Sequence, residues 1–526
     1  MFLLNKTKNN KNVLPSLFHL LHLSHKFSHQ YTTITTTTTH PPNLIIDNKW
    51  EAIIGLEIHA QLSSKTKLFS NSSTSFQKPI NTNVSVFDAA FPGVMPKLNS
   101  KCVDLAVATS LALSGNVQLI SSFDRKQYFY PDLPAGYQIT QHYEPLSIGG
   151  KIALSHLDGL EYETEVRIKQ IQLEQDTGKS IYDIKPGFAL IDLNRAGIGL
   201  MEIVTEPDIR SSKEAGLILR KLQNILRAVG SSDGNMEEGS LRCDVNVSVH
   251  QVGTPFGTRC EIKNLNSVKF LMEAIEVEIK RQINELRIGN RIIQETRGYD
   301  VVKNKTFRLR SKETDTDYRF MPEPDLPPLI LTKEYLERIL NASPELPDIL
   351  KTRLINKYNI SLKDVKALMG EEGGVEYFEK IVQYRNRNPK LVSNWITQDL
   401  YGFLNRKNIK FSKNPVSIEQ LGSIIDCIEI GDISGNIGKQ ILAQMISGDT
   451  RLASVIIEEK GLKQINNITE LETICQDIVM QNTENAKLVR EGNQNVFKWF
   501  VGQVMRITKG KANPQIVNEL LQKLLQ

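Results

Sequence analysis

Residues 55–59 read Gly55-Leu56-Glu57-Ile58-His59, and residues 242–248 read Arg242-Cys243-Asp244-Val245-Asn246-Val247-Ser248. Both stretches alternate polar and apolar residues, and this period of two predicts β-strands. Because successive strand side chains point to opposite sides, Glu57 and His59 share one face, and Asp244 shares a face with its polar neighbours. A solvated strand face usually carries Lys, Thr or Glu, whereas these faces hold hard metal-ligand types. The two stretches therefore predict a functional site on the polar face of a sheet.

The same alternation recurs at 52–62, 164–174, 241–250 and 258–265. Within 164–174 the apolar positions change phase by one residue, which is what a β-bulge produces. The bulge would turn Gln170, Gln172 and Glu174 onto a common face.

Helical periodicity appears at 213–229 and 267–286, the second opened by Asn266 or Ser267 as the expected N-cap. The proline-rich segment 321–328 can be neither helix nor central strand, and it predicts an extended crossing at the end of the first domain. The chain beyond it is mostly helical. We expect an α+β domain at 48–335, a helical domain at 336–405 and a helical tail domain at 406–526.

The first residues differ from the rest of the chain. They contain Lys6, Lys8, Lys11 and Lys26, a Thr tract and no acidic residue before Asp47. This pattern predicts a transit peptide at 1–47 and a mitochondrial matrix location, the alternative being a low-complexity extension. The remaining chain is close to neutral, so any RNA contact must come from local patches. No apolar run approaches the roughly 20 residues needed to cross a bilayer, so we expect no membrane association.

Several classes of chemistry are disfavoured by absences in the sequence. No P-loop occurs, since Leu173 stands where the first glycine before Gly178-Lys179-Ser180 would be, and neither a dinucleotide fingerprint nor a nucleophile elbow is present. The five cysteines are odd in number and widely spaced, so neither a disulfide framework nor a zinc finger is indicated. We expect Cys243 and Cys260 to be small core residues.

What remains is a carboxylate-rich set with basic residues among it. Its members are Glu57, His59, Glu174, Asp244 and Glu261, with Lys126, Arg242 and Lys263. Oxygen ligands on stiff strands suit Mg²⁺, and the basic residues would hold a triphosphate, so the set favours phosphoryl transfer. Each carboxylate taken alone could equally belong to a solvated strand face or to a surface ion pair.

Several longer motifs are similar to those of a known protein family. They include Ile54-Gly-Leu-Glu-Ile-His59, Phe123-Asp-Arg-Lys-Gln-Tyr-Phe-Tyr-Pro-Asp132, Glu174-Gln-Asp-Thr-Gly-Lys179, Glu202-Ile-Val-Thr-Glu-Pro-Asp208, Met236-Glu-Glu-Gly-Ser-Leu-Arg-Cys-Asp244, Glu261-Ile-Lys-Asn-Leu-Asn266, Asp317-Tyr-Arg319 and Val501-Gly-Gln-Val-Met505. In these motifs, from Trp50 to the C-terminus, the chain resembles the B subunits of the tRNA-dependent amidotransferases, the Glu-tRNA(Gln) amidotransferase family.

The resemblance implies a glutamine synthetase-like cradle with an antiparallel sheet, a helical domain and a YqeY-like tail that contacts tRNA. It implies a carbon–nitrogen ligase with glutamine as amido donor, in which ATP and Mg²⁺ phosphorylate the γ-carboxylate of Glu-tRNA(Gln) and ammonia then displaces the phosphate. The ammonia would come from an amidase partner, the A subunit, in a complex completed by a small C subunit or a lineage-specific replacement.

The resemblance also implies roles for single residues. Glu57, His59, Glu174 and Glu261 would hold metal, Lys126, Arg242 and Lys263 would bind ATP, and Lys126, Asp244 and Glu261 would take part in catalysis. Many family members have two adjacent glutamates where this chain has Glu174-Gln175. Either Glu174 and Asp176 suffice, or the metal is held with one charge fewer.

Two other functions stay open at this point. One is a non-catalytic tRNA-binding scaffold that has lost its catalytic site, with Gln175 as a sign of that loss. The other is the archaeal-type sister subunit, which carries a large insertion for which the run from Asp317 into Pro322 leaves no room. The sequence does not choose between Glu-tRNA(Gln) and Asp-tRNA(Asn) as substrate.

Overall fold

A computed structural model describes residues 46–47, 49–74, 77–182, 188–311, 317–465, 467–490, 492–508 and 510–525. The expected transit peptide at 1–47 lies outside the described residues except for its last two positions. The chain divides into two compact units, the first ending at Leu350 and the second beginning at Lys351. The domain boundaries predicted near 335 and 405 stay a prediction.

The strands of the first unit range from two to twelve residues. They are β1 Trp50–Gln61, β2 Asn116–Val117, β3 Ile120–Ser121, β4 Asp124–Gln127, β5 Tyr137–Thr140, β6 Ser147–Ile148, β7 Lys151–Leu154, β8 Thr164–Gln175, β9 Lys179–Ile181, β10 Leu190–Asp192, β11 Gly199–Thr205, β12 Leu241–Gln251, β13 Cys260–Ile262, β14 Glu295–Asp300, β15 Lys305–Ser311, β16 Met321–Pro322 and β17 Leu329–Ile330.

Ten of these strands form one sheet in the order β15-β14-β13-β12-β1-β11-β8-β6-β2, with β7 also paired to β8. Every pairing in it is antiparallel except that of β13 with β14. Smaller sheets join β9 to β10, β3 to β17, and β16, β4 and β5 in that order. The expected antiparallel-dominated α+β architecture is confirmed.

Two details bear on the predicted elements. The strand predicted at 258–265 is shorter, because only Cys260–Ile262 pair and Asn264 turns the chain with a left-handed φ of 63°. The proline-rich segment contributes only the two-residue edge strand β16, since proline has no N–H for a central ladder.

The helices of the first unit are α1 Ser100–Ala112, α2 Ser212–Ala228, α3 Val268–Arg287 and α4 Lys333–Ala342. The predicted cap is confirmed at Ser267, whose hydroxyl accepts from the N–H of Phe270. Apolar residues of α1, α2 and α3 share one core with the apolar side of the large sheet. Ile58 of β1, Val245 of β12 and Leu271 of α3 lie in it, each fully buried. Helices thus cover one face of the sheet and leave the polar face for the site.

Helix α5, Pro347–Tyr358, spans the division between the units, and the second unit continues as helices. These are α6 Leu362–Met369, α7 Gly374–Arg385, α8 Pro389–Asn394, a π-helical turn Trp395–Leu400, α9 Tyr401–Arg406, α10 Ile418–Glu429, α11 Gly435–Ile446, α12 Ala453–Glu459, α13 Ile468–Gln481, α14 Thr483–Arg490, α15 Gln494–Ile507 and α16 Pro514–Leu525. Helices α13 to α16 share a core that includes Leu471, Phe500 and Leu521. Across the described ranges, no helix has the length and apolar character required to cross a bilayer.

Candidate active site

One face of the large sheet carries most of the predicted site residues. The register pairs Glu57 of β1 with Asp244 of β12, and sets His59 between Arg242 of β12 and Glu202 of β11. Because residues directly opposite each other point the same way, these five side chains project from one face. The shared face predicted from the alternation is confirmed.

A bulge brings β8 onto the same face. Its pairing with β11 passes from Ile168 to Gln170 and leaves Lys169 as the extra residue. The predicted bulge is therefore confirmed, and it places Gln172 and Glu174 on the polar face while Ile168 stays in the core. Without the bulge, Val166 and Ile168 would share a face with Gln172 and Glu174. Either apolar side chains would then leave the core or polar ones would enter it.

Three potential metal ligands converge on this face. Nε2 of His59 lies 3.9 Å from Oε1 of Glu57 and 3.8 Å from Oε2 of Glu202. One ligand-type atom from each residue lies within 4.8 Å of the others. Glu202 is oriented by Gln172, whose Nε2 donates to its Oε2 at 2.9 Å. The geometry fits a divalent cation with carboxylate and imidazole ligands.

Sequence reasoning did not include Glu202 among the candidates, although it stands within one of the quoted motifs. The available signal was its position as the one ionisable residue in the otherwise apolar or uncharged strand Gly199–Thr205. A carboxylate in a strand that is otherwise buried needs a partner or a cation, because an isolated buried charge is costly.

Burial and charge set the protonation of the cluster. Burial, with the positive charges of Arg242 and Lys126, lowers the pKa of His59 to about 3. The imidazole is therefore neutral near pH 7 and keeps a nitrogen lone pair. Burial raises the pKa of Glu57, and burial with neighbouring carboxylates holds that of Glu202 well above its usual range. A bound cation would offset this crowding of carboxylates.

Each predicted phosphate-binding cation is paired with carboxylates. The pairs are Lys126 Nζ with Glu174 Oε2 at 4.0 Å, Arg242 Nη2 with Asp176 Oδ2 at 2.7 Å, and Lys263 Nζ with Asp244 and, at 3.0 Å, with Glu261 Oε1. Burial alone would lower the pKa of Lys126 and Lys263, but the carboxylates outweigh it and raise both. Both lysines are therefore cationic and able to bind phosphate oxygens.

Glu174 is held by neighbours that do not belong to the predicted set. Nε2 of Gln138 donates to Oε1 of Glu174 at 2.6 Å and to the main-chain oxygen of Gln175 at 2.7 Å. The hydroxyl of Tyr128 donates to Oε1 of Gln138 at 3.0 Å. A comparable bond from Thr296 Oγ1 to Glu261 Oε2 measures 3.0 Å. These contacts limit the positions that both carboxylates can take.

Gln175 lies apart from the three-residue cluster. Its side chain lines a cavity of about 250 Å³ together with Asp88, Tyr137 and Asp176. Its Oε1 is buried without a hydrogen-bond partner among the described protein atoms. The Gln175 side chain therefore faces this cavity and is not part of the group formed by Glu57, His59 and Glu202.

The eight predicted site residues thus meet on or beside one face. Seven come from the large sheet or its immediate continuation, and Lys126 reaches it from β4 of the three-stranded sheet. Glu174 and Glu261 share the face but lie outside the group formed by Glu57, His59 and Glu202. Their role as metal ligands stays a prediction.

Comparison with known proteins gives the family. Residues 52–337 match the GatB/GatE catalytic domain, and residues 376–525 match the GatB domain. A protein of Pelagibacter ubique described as the B subunit of an aspartyl/glutamyl-tRNA(Asn/Gln) amidotransferase is 46% identical over 91% of this chain and 97% of its own length. One of Rickettsia typhi with the same description is 47% identical over 91% and 98%.

A Dictyostelium discoideum protein described as the mitochondrial B subunit of a glutamyl-tRNA(Gln) amidotransferase is 43% identical, over 93% of this chain and 96% of its own. The first domain match alone covers more than half of the chain, and these relatives span nearly all of it. The chain therefore belongs to the GatB/GatE family.

Proposed function

We propose that this chain is the component of a tRNA-dependent amidotransferase that activates a carboxylate of misacylated tRNA with ATP and then transfers ammonia to it. The substrate would be Glu-tRNA(Gln), the product Gln-tRNA(Gln), and the complex a carbon–nitrogen ligase with glutamine as amido donor. An amidase subunit would release the ammonia, and a small third subunit or its replacement would complete the complex.

The observation that carries the proposal is one sheet face with a three-ligand cluster beside three cationic side chains. Neutral His59 with Glu57 and Glu202 fits a divalent cation by donor type and spacing. Mg²⁺ bound there would neutralise phosphate oxygens and orient the triphosphate. Lys126, with Arg242 and Lys263, would bind the remaining phosphate charge after exchanging their present carboxylate partners.

The reaction has two bond exchanges. An oxygen of the glutamate γ-carboxylate bonds to the γ-phosphorus of ATP, and the bond from that phosphorus to the bridging oxygen breaks to release ADP. The ammonia nitrogen then bonds to the activated carbonyl carbon, phosphate leaves with its oxygen, and the surplus proton passes to phosphate or solvent. Asp244 and Glu261 would position Lys263, which both contact, against the transferred phosphoryl group.

The decisive experiment uses the complex with its partner subunits. Gln-tRNA should form from Glu-tRNA only when ATP and an ammonia source are both present, and product without ATP would overturn the proposal. His59→Ala or Asp244→Asn should abolish Glu-tRNA-dependent ADP release while the glutaminase activity of the amidase partner remains. His156→Ala, at an exposed position away from the sheet face, is the matched control.

The placement of all eight predicted site residues on or beside one sheet face favours this activity over a scaffold with a decayed site. Titration with Mg²⁺ separates the two, because a scaffold would bind no nucleotide in a Mg²⁺-dependent way. One amidation assay with Glu-tRNA(Gln) and Asp-tRNA(Asn) would identify the substrate, since the names of the relatives include both pairs.

We also propose that the chain acts in the mitochondrial matrix. The basic, acid-free sequence before Asp47 supports import, as does the mitochondrial description of the Dictyostelium relative. The full chain should enter energised mitochondria and be shortened there, whereas a chain lacking 1–47 should stay outside. Failure of the full chain to enter would contradict this location, and equal import of both chains would show that 1–47 is not the targeting signal.

A further inference from the structure

Six ring side chains contact one another just beyond the strand ends of the three-stranded sheet that carries Lys126. They are Tyr128, Tyr130, His142, Tyr143, Tyr318 and Phe320, named here the aromatic ladder. Two of the motifs noted in the sequence, 123–132 and 317–319, meet in it. The phosphate chemistry described above assigns no role to the faces of these rings.

The ladder begins next to the active-site lysine. Nζ of Lys126 lies 5.2 Å from the centroid of the Tyr318 ring, within the range of a cation–π contact. Tyr318 contacts Tyr128 at 6.0 Å on one side and Phe320 at 5.9 Å on the other, both edge to face. The rings thus extend outward in two branches from the point where phosphate would be held.

Each branch ends at exposed rings. Tyr130 follows Tyr128 at 5.7 Å and is 55% exposed. On the other branch, the ring of His142 stacks on Phe320 at 3.7 Å with an interplanar angle of 6°, and Tyr143 packs edge-on against both and is 61% exposed. Large aromatic area is therefore open to a ligand at both ends.

Backbone contacts hold the ladder in place. The N–H of Gln127 donates to the main-chain oxygen of Tyr318 at 2.9 Å. The carboxylate of Asp124 accepts from the N–H groups of His142 and Tyr143 at 2.8 and 3.0 Å. A platform held in this way loses little conformational entropy when a flat ligand binds.

We propose that the aromatic ladder binds an unpaired adenine base of a substrate by stacking. This rests on the proposed function, whose two substrates each carry such a base, one in ATP and one at the 3′ end of tRNA. Aromatic faces beside a cationic side chain are the combination that binds bases of single-stranded nucleic acids and nucleotides without base pairing. The phosphate or acyl end would then lie toward Lys126 and the base toward Tyr130 or Tyr143.

The test uses the full complex and two fluorescent probes whose emission is quenched by stacking. One is 2-aminopurine riboside triphosphate with Mg²⁺, and the other is unacylated tRNA(Gln) ending in 2-aminopurine riboside. The wild type should quench one of them, and the probe quenched identifies the source of the base. Tyr130→Ala or Tyr143→Ala should weaken binding of that probe about tenfold and reduce the quenching.

Matched variants separate stacking from other effects. Tyr130→Phe and Tyr143→Phe keep the ring and should behave as the wild type. Phe256→Ala removes an aromatic side chain that is 63% exposed and lies outside the ladder, so it should also leave binding unchanged.

The outcomes separate the two proposals. Two results would overturn the proposal that the ladder binds a base. One is the absence of quenching in the wild type, and the other is wild-type binding and quenching in both alanine variants. A complex that quenches a probe in a ladder-dependent way but makes Gln-tRNA without ATP would contradict the proposed function and leave the ladder standing.

Discussion

At the residue scale, Glu202 places a carboxylate where its ionisation is unfavourable. Its side chain is 11% exposed, and burial together with Glu174 and Glu57 holds its pKa well above the ordinary value. In the proposed metal site, such a carboxylate would bind the cation at the expense of folding. Stability and activity should therefore respond in opposite directions when it is removed.

Glu202→Gln should raise the free energy of unfolding of the Mg²⁺-free protein by about 1 kcal/mol. Glutamine has nearly the same shape and keeps an oxygen for the Gln172 amide, but it carries no charge. Amidation by the complex should fall by about 10-fold or more because a ligand is lost. Urea unfolding and steady-state rates measure the two effects.

The stability gain should depend on pH. Because the folded-state pKa of Glu202 lies above the unfolded value of about 4.3, its ionisation costs stability as the pH rises through the folded-state pKa. The gain from Glu202→Gln should thus be small at about pH 5 and larger at about pH 8. Glu237→Gln, at an exposed turn, serves as the control. An equal gain at both pH values would show that charge is not the cause.

Gln138 acts on the site through another residue. Gln138→Leu removes the two hydrogen bonds that the Gln138 side-chain amide donates to Glu174 and to the main chain of Gln175. Glu174 is then free to move toward Lys126. We expect amidation to fall about 10- to 100-fold, with a matching rise in the Mg²⁺ concentration required. Tyr128→Phe deletes only the outer hydrogen bond and should have a smaller effect. Equal loss in both variants would point to general disruption.

At the scale of elements, the bulge in β8 decides which side chains reach the site. Because the strand period is two, removing Lys169 would turn either Val166 and Ile168 or Gln172 and Glu174 to the opposite face. Both results are unfavourable, since the first exposes buried apolar groups and the second buries polar ones.

Deleting Lys169 should therefore lower the free energy of unfolding by about 3 kcal/mol or more and abolish amidation. Lys169→Ala keeps the extra residue and its main-chain oxygen, which accepts from Gly149, so stability should stay within about 0.5 kcal/mol. Urea unfolding followed by circular dichroism checks both variants. A deletion as stable as the alanine variant would show that the bulge does not set the faces.

At the scale of the whole molecule, each unit has a core of its own. The core of the large sheet includes Ile58, Val245 and Leu271, whereas the tail helices bury Phe500 with Leu471. A cavity in the tail core should therefore act on the tail first.

Phe500→Ala should destabilise the tail helices by about 3–5 kcal/mol. Hydrogen exchange followed by mass spectrometry should show faster exchange across 468–525, with β1 and β12 unchanged. Met480→Ala removes a side chain that is 72% exposed and should alter neither region. Equally faster exchange in the large sheet would mean that the two cores unfold together.

Features that depend on neighbours along the chain were predictable from the sequence. The alternation of β1 and β12, the bulge in β8 and the Ser267 cap follow from local periodicity and local hydrogen bonding. The shared faces of Glu57 with His59 and of Arg242 with Asp244 also followed, because residues of the required chemistry stand at alternating positions. The α+β class and the family resemblance were likewise evident in the sequence.

Only the tertiary structure decided which side chains become neighbours across strands. Register between β1 and β11, which are far apart in the sequence, brings Glu202 to His59, and pairing within a separate small sheet brings Lys126 and the aromatic ladder to the same place. The side taken by Gln175 also depends on which segments pack around the end of β8. Strand pairing is set by the burial of the whole apolar face, a long-range quantity that no local pattern contains.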